Sequence, residues 1–462
     1  MINIKDIFRF FYSKLPDSIS HSWKYHRIYS ETSRLLYESE HWNNARVLDY
    51  QNKRIQEIVF YAYTYVPYYK RIMDELGITP DQIKTVKDLE KLPCLTKEII
   101  LQEGNNMLSS EFSSKDIETH LTGGSTGVPA TFAFEKNNDQ AREDASVGFV
   151  YAKFGYKKGN KTAIFGDVSF LREAQRVNSK LICKKYPGSK NWFFVESQIE
   201  TDSESYLKKL QEISVQWIIA CPSYLYRLAT ALAEKGIKRY EGKLCGIIFK
   251  SEMLYPFQEQ VIRRFFNTNM YNVYGHTEHL CMAYSFIDEG CYHFVDSYGL
   301  AQFEHVEDGK DELIATGFYN KAMPLIKYRT RDLFTLSDDF EKTRTIESIE
   351  GRRSDFLYLK NGRVVSDVFC DFTVLAHSWQ EDIQQYQIIQ SEIGRCVLRM
   401  VPRTGCCIED LKKEEIKKKC EEYFFNNMDI EIEIVDAIPR TCRGKEKLIV
   451  SSIYNPKSSR NL

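Results

Sequence analysis

The sequence predicts an α/β protein. A large N-terminal domain, residues 1–350, is built on mostly parallel sheets flanked by helices, and a small α+β domain occupies residues 351–462. Three observations support this. At 462 residues the chain exceeds what one compact core holds, so two or three domains are expected. Between residues 160 and 275, short apolar β-rich runs alternate with helical segments, the pattern of a buried parallel sheet. Near residue 350 the style changes to hairpin signals followed by mixed strands and helices.

In chain order, residues 1–100 form a helical lead-in. Apolar residues recur at three- and four-residue spacing over Trp23–Tyr37, Asn43–Ala62 and Tyr68–Leu76. Pro67 and Pro80 punctuate these segments, and Thr96 with Glu98 reads as a helix start after Pro93. Strands are expected at Thr162–Phe165, Trp192–Val195, Trp217–Ala220, Gly246–Phe249 and Tyr271–Tyr274. Helices are expected at Ser205–Glu212, Ser223–Lys235 and Pro256–Phe266. In the C-terminal domain, Phe356–Leu359 and Arg363–Val365 flank Lys360-Asn361-Gly362, an Asn-Gly hairpin signal. A helix at 369–378, strands at 385–390 and 395–401, a lysine-rich helix at 408–425 and strands at 431–435 and 447–451 complete it. The lysines of that helix are mixed with glutamates and read as a solvated face.

Composition excludes several functions. The formal net charge of −1 leaves no basic field for nucleic acid or an anionic membrane. The twelve cysteines contain no CxxC pair, which fits reduced thiols. Met1–Leu15 has apolar residues interrupted by charges, too short and too charged for a signal peptide or integral membrane segment. A cytoplasmic protein is expected.

The most informative segment is Leu121-Thr122-Gly123-Gly124-Ser125-Thr126-Gly127-Val128-Pro129. Its glycines let backbone N–H groups approach an anion, and its hydroxyls add donors, so it suits phosphate oxygens. It is not a Walker loop, because no Lys-Ser/Thr follows Gly127. Tyr274-Gly275-His276-Thr277-Glu278 follows a predicted strand, where a carboxylate and a hydroxyl can meet Mg²⁺ and phosphate. Tyr328-Arg329-Thr330-Arg331-Asp332 offers an acid for ribose hydroxyls. Gly351-Arg352-Arg353-Ser354-Asp355 lies at the domain boundary, and Pro439-Arg440-Thr441-Cys442-Arg443-Gly444-Lys445 precedes the last strand. Any one of these alone reads as a turn or a surface charge cluster.

Together, in this order and spacing, they resemble the adenylate-forming ligases of the acyl-CoA synthetase superfamily. The similarity is to the phenylacetate–CoA ligase branch, and within it to the CapK-type proteins found with capsular polysaccharide genes. The resemblance implies that Thr122, Gly123, Gly124, Ser125, Thr126 and Gly127 wrap the phosphates of ATP. It places Lys250-Ser251-Glu252-Met253 where the family has its adenine-side loop, with Ser251 and Glu252 as the nucleotide-binding residues, and Tyr274 and Gly275 in the nucleotide site. Thr277 would contact phosphate, Glu278 would hold Mg²⁺, and Asp332 with Arg352 would bind the ribose. Asp355 would be a hinge for a mobile C-terminal domain, which carries Lys445 to the carboxylate and the α-phosphate.

The implied reaction is activation of a small carboxylic acid as acyl-AMP with release of pyrophosphate. Acyl transfer follows, to the thiol of CoA or a carrier protein, or to an amine on a sugar-nucleotide or polysaccharide precursor. The alternative is a nucleotide-binding structural subunit that no longer catalyses. Arg331 stands where the family usually has glycine. Either its backbone tolerates negative φ with the side chain in solvent, or its guanidinium serves an anionic ligand; the second is favoured. Some relatives hold a structural zinc after the second motif. The candidates here, His279, Cys281, Cys291 and His293, do not match that spacing and read as unliganded. Phe165, Gly166, Ser223 and Tyr224 are guesses for the acid pocket.

Overall fold

The computed structural model describes residues 17–121, 130–166, 182–186, 188–199, 201–306, 310–352, 357–361, 364–365, 382–403, 406, 408–424, 426–439, 449–451 and 453. Helices α1 (Asp17–Ser39), α2 (Asn44–Tyr65), α3 (Pro67–Glu75) and α4 (Lys97–Glu103) form the lead-in. Asn43 caps α2 by accepting the Arg46 N–H at 2.9 Å, and Pro67 opens α3 at a position where its missing N–H costs nothing. Ile55, Ile58, Val59 and Ala62 bury one stripe of α2. Strands β1 (Ile117–Leu121) and β2 (Thr131–Glu135) pair antiparallel, with Leu121 opposite Thr131. These two paired strands flank the glycine-rich segment in sequence.

After α5 (Asp139–Lys153) come β3 (Thr162–Gly166), β4 (Cys183–Lys185), β5 (Asn191–Val195), α6 (Ser203–Glu212), β6 (Trp217–Ala220), α7 (Pro222–Glu234), β7 (Gly246–Lys250), α8 (Pro256–Phe266) and β8 (Met270–Gly275). The chain continues as β9 (Met282–Phe286), β10 (Tyr292–Phe294), β11 (Gly299–His305), β12 (Asp311–Gly317), β13 (Tyr328–Leu336), α9 (Phe340–Thr343) and β14 (Thr345–Arg352). Among the described residues these strands make a twelve-stranded sheet, β11-β12-β13-β14-β10-β9-β8-β7-β6-β3-β5-β4.

The expectation of mostly parallel sheets is corrected here. Only β5, β3, β6, β7 and β8 run parallel to one another, while β8 through β14 pair antiparallel. Helices α6, α7 and α8 cross over from β5 to β6, from β6 to β7 and from β7 to β8, whereas from residue 282 onward shorter connections join strands that pair in opposite directions. Those strands, and the β1–β2 pair, were not anticipated because their polar and small residues break the apolar runs.

The C-terminal residues form β15 (Leu357–Tyr358) paired with β16 (Val364–Val365), then β17 (Ile383–Glu392), β18 (Arg395–Pro402), α10 (Asp410–Tyr423), β19 (Asp429–Ile434) and β20 (Ile449–Ser451). The sheet order is β19-β18-β17-β20. Ile416, Cys420 and Phe424 pack at four-residue spacing against Ile388, Leu398 and Met400, forming a separate core. Gln390 ties the hairpin to this sheet: its amide accepts the Tyr358 N–H at 2.8 Å and donates to the Tyr358 carbonyl at 2.9 Å. The expected helix at 369–378 and the hinge residue Asp355 lie outside the described residues. No described helix is long and apolar enough to cross a membrane.

Asp139 opens α5 in a buried position, where its carboxylate accepts the Glu135 N–H at 2.9 Å. Burial pushes its pKa up to about 7. The folded protein therefore holds this proton more tightly than the unfolded chain. The stability it contributes is full below the ordinary carboxylate range and is lost as pH rises through about 7. Asp139→Asn keeps the acceptor and removes the charge. Its melting temperature should exceed that of wild type by roughly a few degrees more at pH 8 than at pH 4. Equal differences at the two pH values would contradict the burial argument.

Candidate active site at the carboxyl ends of the central strands

Strands β6, β7 and β8 end together. Ala220 pairs with Phe249, and Lys250 pairs with Val273, so Cys221, Ser251 and Tyr274 emerge along one edge. Ser251 takes a left-handed φ of 70°, turning the chain sharply after β7. Glu252 then points at the start of α7, where its carboxylate accepts the Ser223 N–H at 3.3 Å. A carboxylate suits a helix N-terminus. This residue, expected on the adenine side, thus also fixes α7 against β7.

From β8, Tyr274 donates its hydroxyl proton to Asp332 on β13 at 2.7 Å. Asp332 is buried, and its N–H is held by the Thr330 hydroxyl at 3.1 Å, which in turn donates to the Leu313 carbonyl at 3.0 Å. Phe334 stands edge-on to the Tyr274 ring at 5.3 Å. Arg352 lies directly opposite Asp332 across the β13–β14 ladder. Thr330 and Phe334 were not anticipated; the Tyr-Arg-Thr segment contained the signal for the first.

Beyond Gly275 the chain runs through His276, Thr277, Glu278 and His279, the last with φ of 53°. This loop lies on a pair of glycines. Gly299 and Gly317 face each other across β11 and β12, and a Cβ on Gly299 would sit 1.7 Å from the Leu280 carbonyl oxygen. Gly299 opens β11 and Gly317 closes β12, and the missing side chains let the other backbone come this close. The loop buries Glu278, whose Oε2 lies 3.8 Å from His276 Nδ1 and has no hydrogen-bond partner among the described residues. A buried carboxylate oxygen in this state is a hard donor suited to Mg²⁺.

Arg331 has φ of 66°, so the first sequence alternative, negative φ with the side chain in solvent, does not hold. Its guanidinium donates to Glu98 on α4 at 2.7 Å. Burial pushes the Glu98 pKa up, but its own backbone N–H and the Arg331 charge outweigh that and leave it below the usual range. The arginine therefore fastens the lead-in to β13. The same junction carries main-chain bonds in both directions: Leu95 N–H to the Lys327 carbonyl and Arg329 N–H to the Leu95 carbonyl, each 2.9 Å.

The four zinc candidates fall into two pairs. Cys281 is buried and donates to the Leu300 carbonyl at 3.4 Å, with its pKa pushed up by burial, and the His279 ring packs on Phe134 at 4.8 Å. Cys291 and His293 sit together on the other side of β9, where His293 Nε2 lies 3.7 Å from Cys291 Sγ and 3.3 Å from Glu289, a neighbour the sequence did not single out. Of the guessed pocket residues, Phe165 and Tyr224 belong to the hydrophobic core, with Phe165 stacked on Phe194 at 5.0 Å. Thr122 to Gly127 and Lys445 lie outside the described residues, as does the Arg352 side chain.

Comparison with known proteins gives matches over most of the chain. Residues 357–452 match the CapK C-terminal domain family. Protein CapK of Staphylococcus aureus is 24% identical over 418 residues, covering 88% of this chain and 90% of its own length. Phenylacetate-coenzyme A ligase of Pseudomonas putida is 23% identical over 352 residues, covering 73% and 78%. Among solved structures, 2-hydroxyisobutyryl-CoA ligase in the postadenylation state, in complex with R3-HIB-AMP, superposes with a TM-score of 0.62 at 16% identity, covering 89% of this chain and 90% of that one.

The left-handed backbone at Arg331 generates a stability ordering. Glycine at 331 relieves strain of about 1 kcal/mol and loses a half-exposed ion pair worth roughly 0–1 kcal/mol. Alanine loses the pair and keeps the strain. Denaturant titration should place Arg331→Gly near wild type and Arg331→Ala about 1 kcal/mol below Arg331→Gly. An alanine variant as stable as the glycine variant would show that the position carries no strain.

Proposed function

The chain belongs to the adenylate-forming ligases of the acyl-CoA synthetase superfamily, in the branch of CapK and the phenylacetate–CoA ligases, and on that premise we propose that it activates a carboxylic acid with ATP and passes the acyl group to CoA. The observation that supports this best is buried Glu278, with an unbonded oxygen, on the same sheet edge as the Tyr274–Asp332 pair.

In the first step an oxygen of the substrate carboxylate attacks the α-phosphorus of ATP. The bond from that phosphorus to the bridging oxygen breaks, and pyrophosphate leaves. Two anions approach, so the site must supply positive charge and N–H donors in a water-poor setting. In this reading Thr122 to Gly127 and Thr277 hold phosphate oxygens, and Asp332, set by Tyr274 and Thr330, binds ribose hydroxyls beside Arg352. Ser251, Glu252 and Gly275 border the nucleotide, and Lys445 meets the reacting carboxylate. Mg²⁺, when bound at Glu278, supplies neutralising charge to the phosphates. In the second step the CoA thiol attacks the acyl carbon, loses its proton, and AMP departs. Rotation of residues 351–462 about Asp355 withdraws Lys445 between the two steps. CoA is preferred as acceptor because the named ligases of the branch use it; a carrier thiol or an amine remains the test's other outcome.

Purified protein with ATP, Mg²⁺ and a panel of acids should release pyrophosphate with at least one acid. Lys445→Ala should lower that release by about 10²–10³-fold while sparing transfer from a pre-made acyl-adenylate to CoA. Equal loss of both steps would remove Lys445 from its assigned role. No pyrophosphate with any acid, despite ATP binding, would favour the structural-subunit alternative. Glu278→Gln should raise the Mg²⁺ concentration for half-maximal activity roughly tenfold or more, as loss of one charged ligand does. Unchanged Mg²⁺ dependence would exclude Glu278 as its ligand.

A further inference from the structure

Lys250 is the last residue of β7, between the ends of β6 and β8. Along the strand it shares a face with Ile248, whose neighbours are Trp217, Ile219 and Tyr271, so a lysine ends an apolar column. Only part of its surface is exposed, and among the described residues no carboxylate, hydroxyl or carbonyl bonds its ammonium. Burial pushes its pKa down, opposed only by Cys221 across the β6–β7 ladder. Three other part-buried cations among the described residues are compensated. Arg227 pairs with Glu196 at 3.1 Å, Arg329 with Glu312 at 2.7 Å, and Lys327 donates to the Leu92 carbonyl at 2.6 Å. A desolvated ammonium without such a partner is costly to retain.

Carboxyl ends of parallel strands are where ligands meet an open α/β sheet. In the adenylation reading the phosphates, the metal and the reacting carboxylate already have residues assigned, while the residues suggested for the acid pocket, Phe165, Gly166, Ser223 and Tyr224, include no charged group for the far end of the acid. We propose that Lys250 is the specificity residue for that far end: its ammonium pairs with a second anionic group, so the substrate is a dicarboxylic or otherwise dianionic acid. This rests on the adenylation reading and names the substrate class of that site.

The test measures binding by thermal shift of the full-length protein with ATP present. Glutarate is compared with butyrate and phthalate with benzoate, for wild type and Lys250→Met. Wild type should bind at least one dicarboxylate roughly tenfold or more tightly than its monocarboxylate counterpart, the scale of one charge-assisted contact. Lys250→Met should reduce that ratio to about two or less with ATP affinity unchanged, and Lys250→Arg should retain it. Should the methionine variant not fold, Lys250→Gln takes its place with the same expectation. Equal binding of the two acid classes by wild type overturns the proposal. So does a preference that survives in the uncharged variants, or a loss that falls on ATP. Failure of the adenylation reading shows separately, as dicarboxylate binding that depends on Lys250 without pyrophosphate release.

Discussion

The hydrogen bond from Tyr274 to Asp332 is the constraint on which the site depends. Three strands, β9, β10 and β14, separate β8 from β13 in the sheet order. At about 4.8 Å per strand, a flat sheet would hold them roughly 19 Å apart. A 2.7 Å contact between their side chains therefore requires the antiparallel half to coil back over the carboxyl edge of the parallel half. Phe294, Phe303 and Phe334 fill the space enclosed by that curl, with centroids 5.4–6.3 Å apart. Burial of these rings supplies the driving force, and the polar pair fixes where the two halves meet.

Other contacts hold β13 in place from outside. The lead-in segment Leu92–Glu98 runs along it through two main-chain hydrogen bonds, the Lys327–Leu92 contact and the Arg331–Glu98 pair. Gly299 and Gly317 let the Glu278 loop settle on β11 and β12 with no side chain between them. The helical lead-in is thus a support for the strand that carries Asp332.

Much of this was legible in the sequence. The parallel strands were marked by continuous apolar runs, and β6, for example, lies at Trp217–Ala220 as expected. The cap at Thr96 located a helix start because a single side-chain oxygen decides it. The antiparallel half was not legible. Its strands, such as β13 with Arg329, Thr330 and Arg331, carry polar residues whose partners are distant in sequence: Glu312 for Arg329 and Glu98 for Arg331. Local pattern cannot announce such pairs. The motifs named Tyr274, Glu278 and Asp332 as candidates, and the structure places Tyr274 near the end of β8, Glu278 on the loop after it and Asp332 in the middle of β13. Their mutual placement came from the curl. The glycines at 299 and 317 were readable only as isolated small residues until the loop they accommodate was seen.

The central claim is that a substrate carboxylate oxygen becomes bonded to the α-phosphorus of ATP at this edge. It is tested most directly by giving the protein an acid labelled with heavy oxygen in its carboxylate, together with ATP and CoA, and weighing the nucleotide product. Adenylation followed by thioester formation predicts AMP that carries one labelled oxygen. Unlabelled AMP, or label appearing in inorganic phosphate beside ADP, would contradict it.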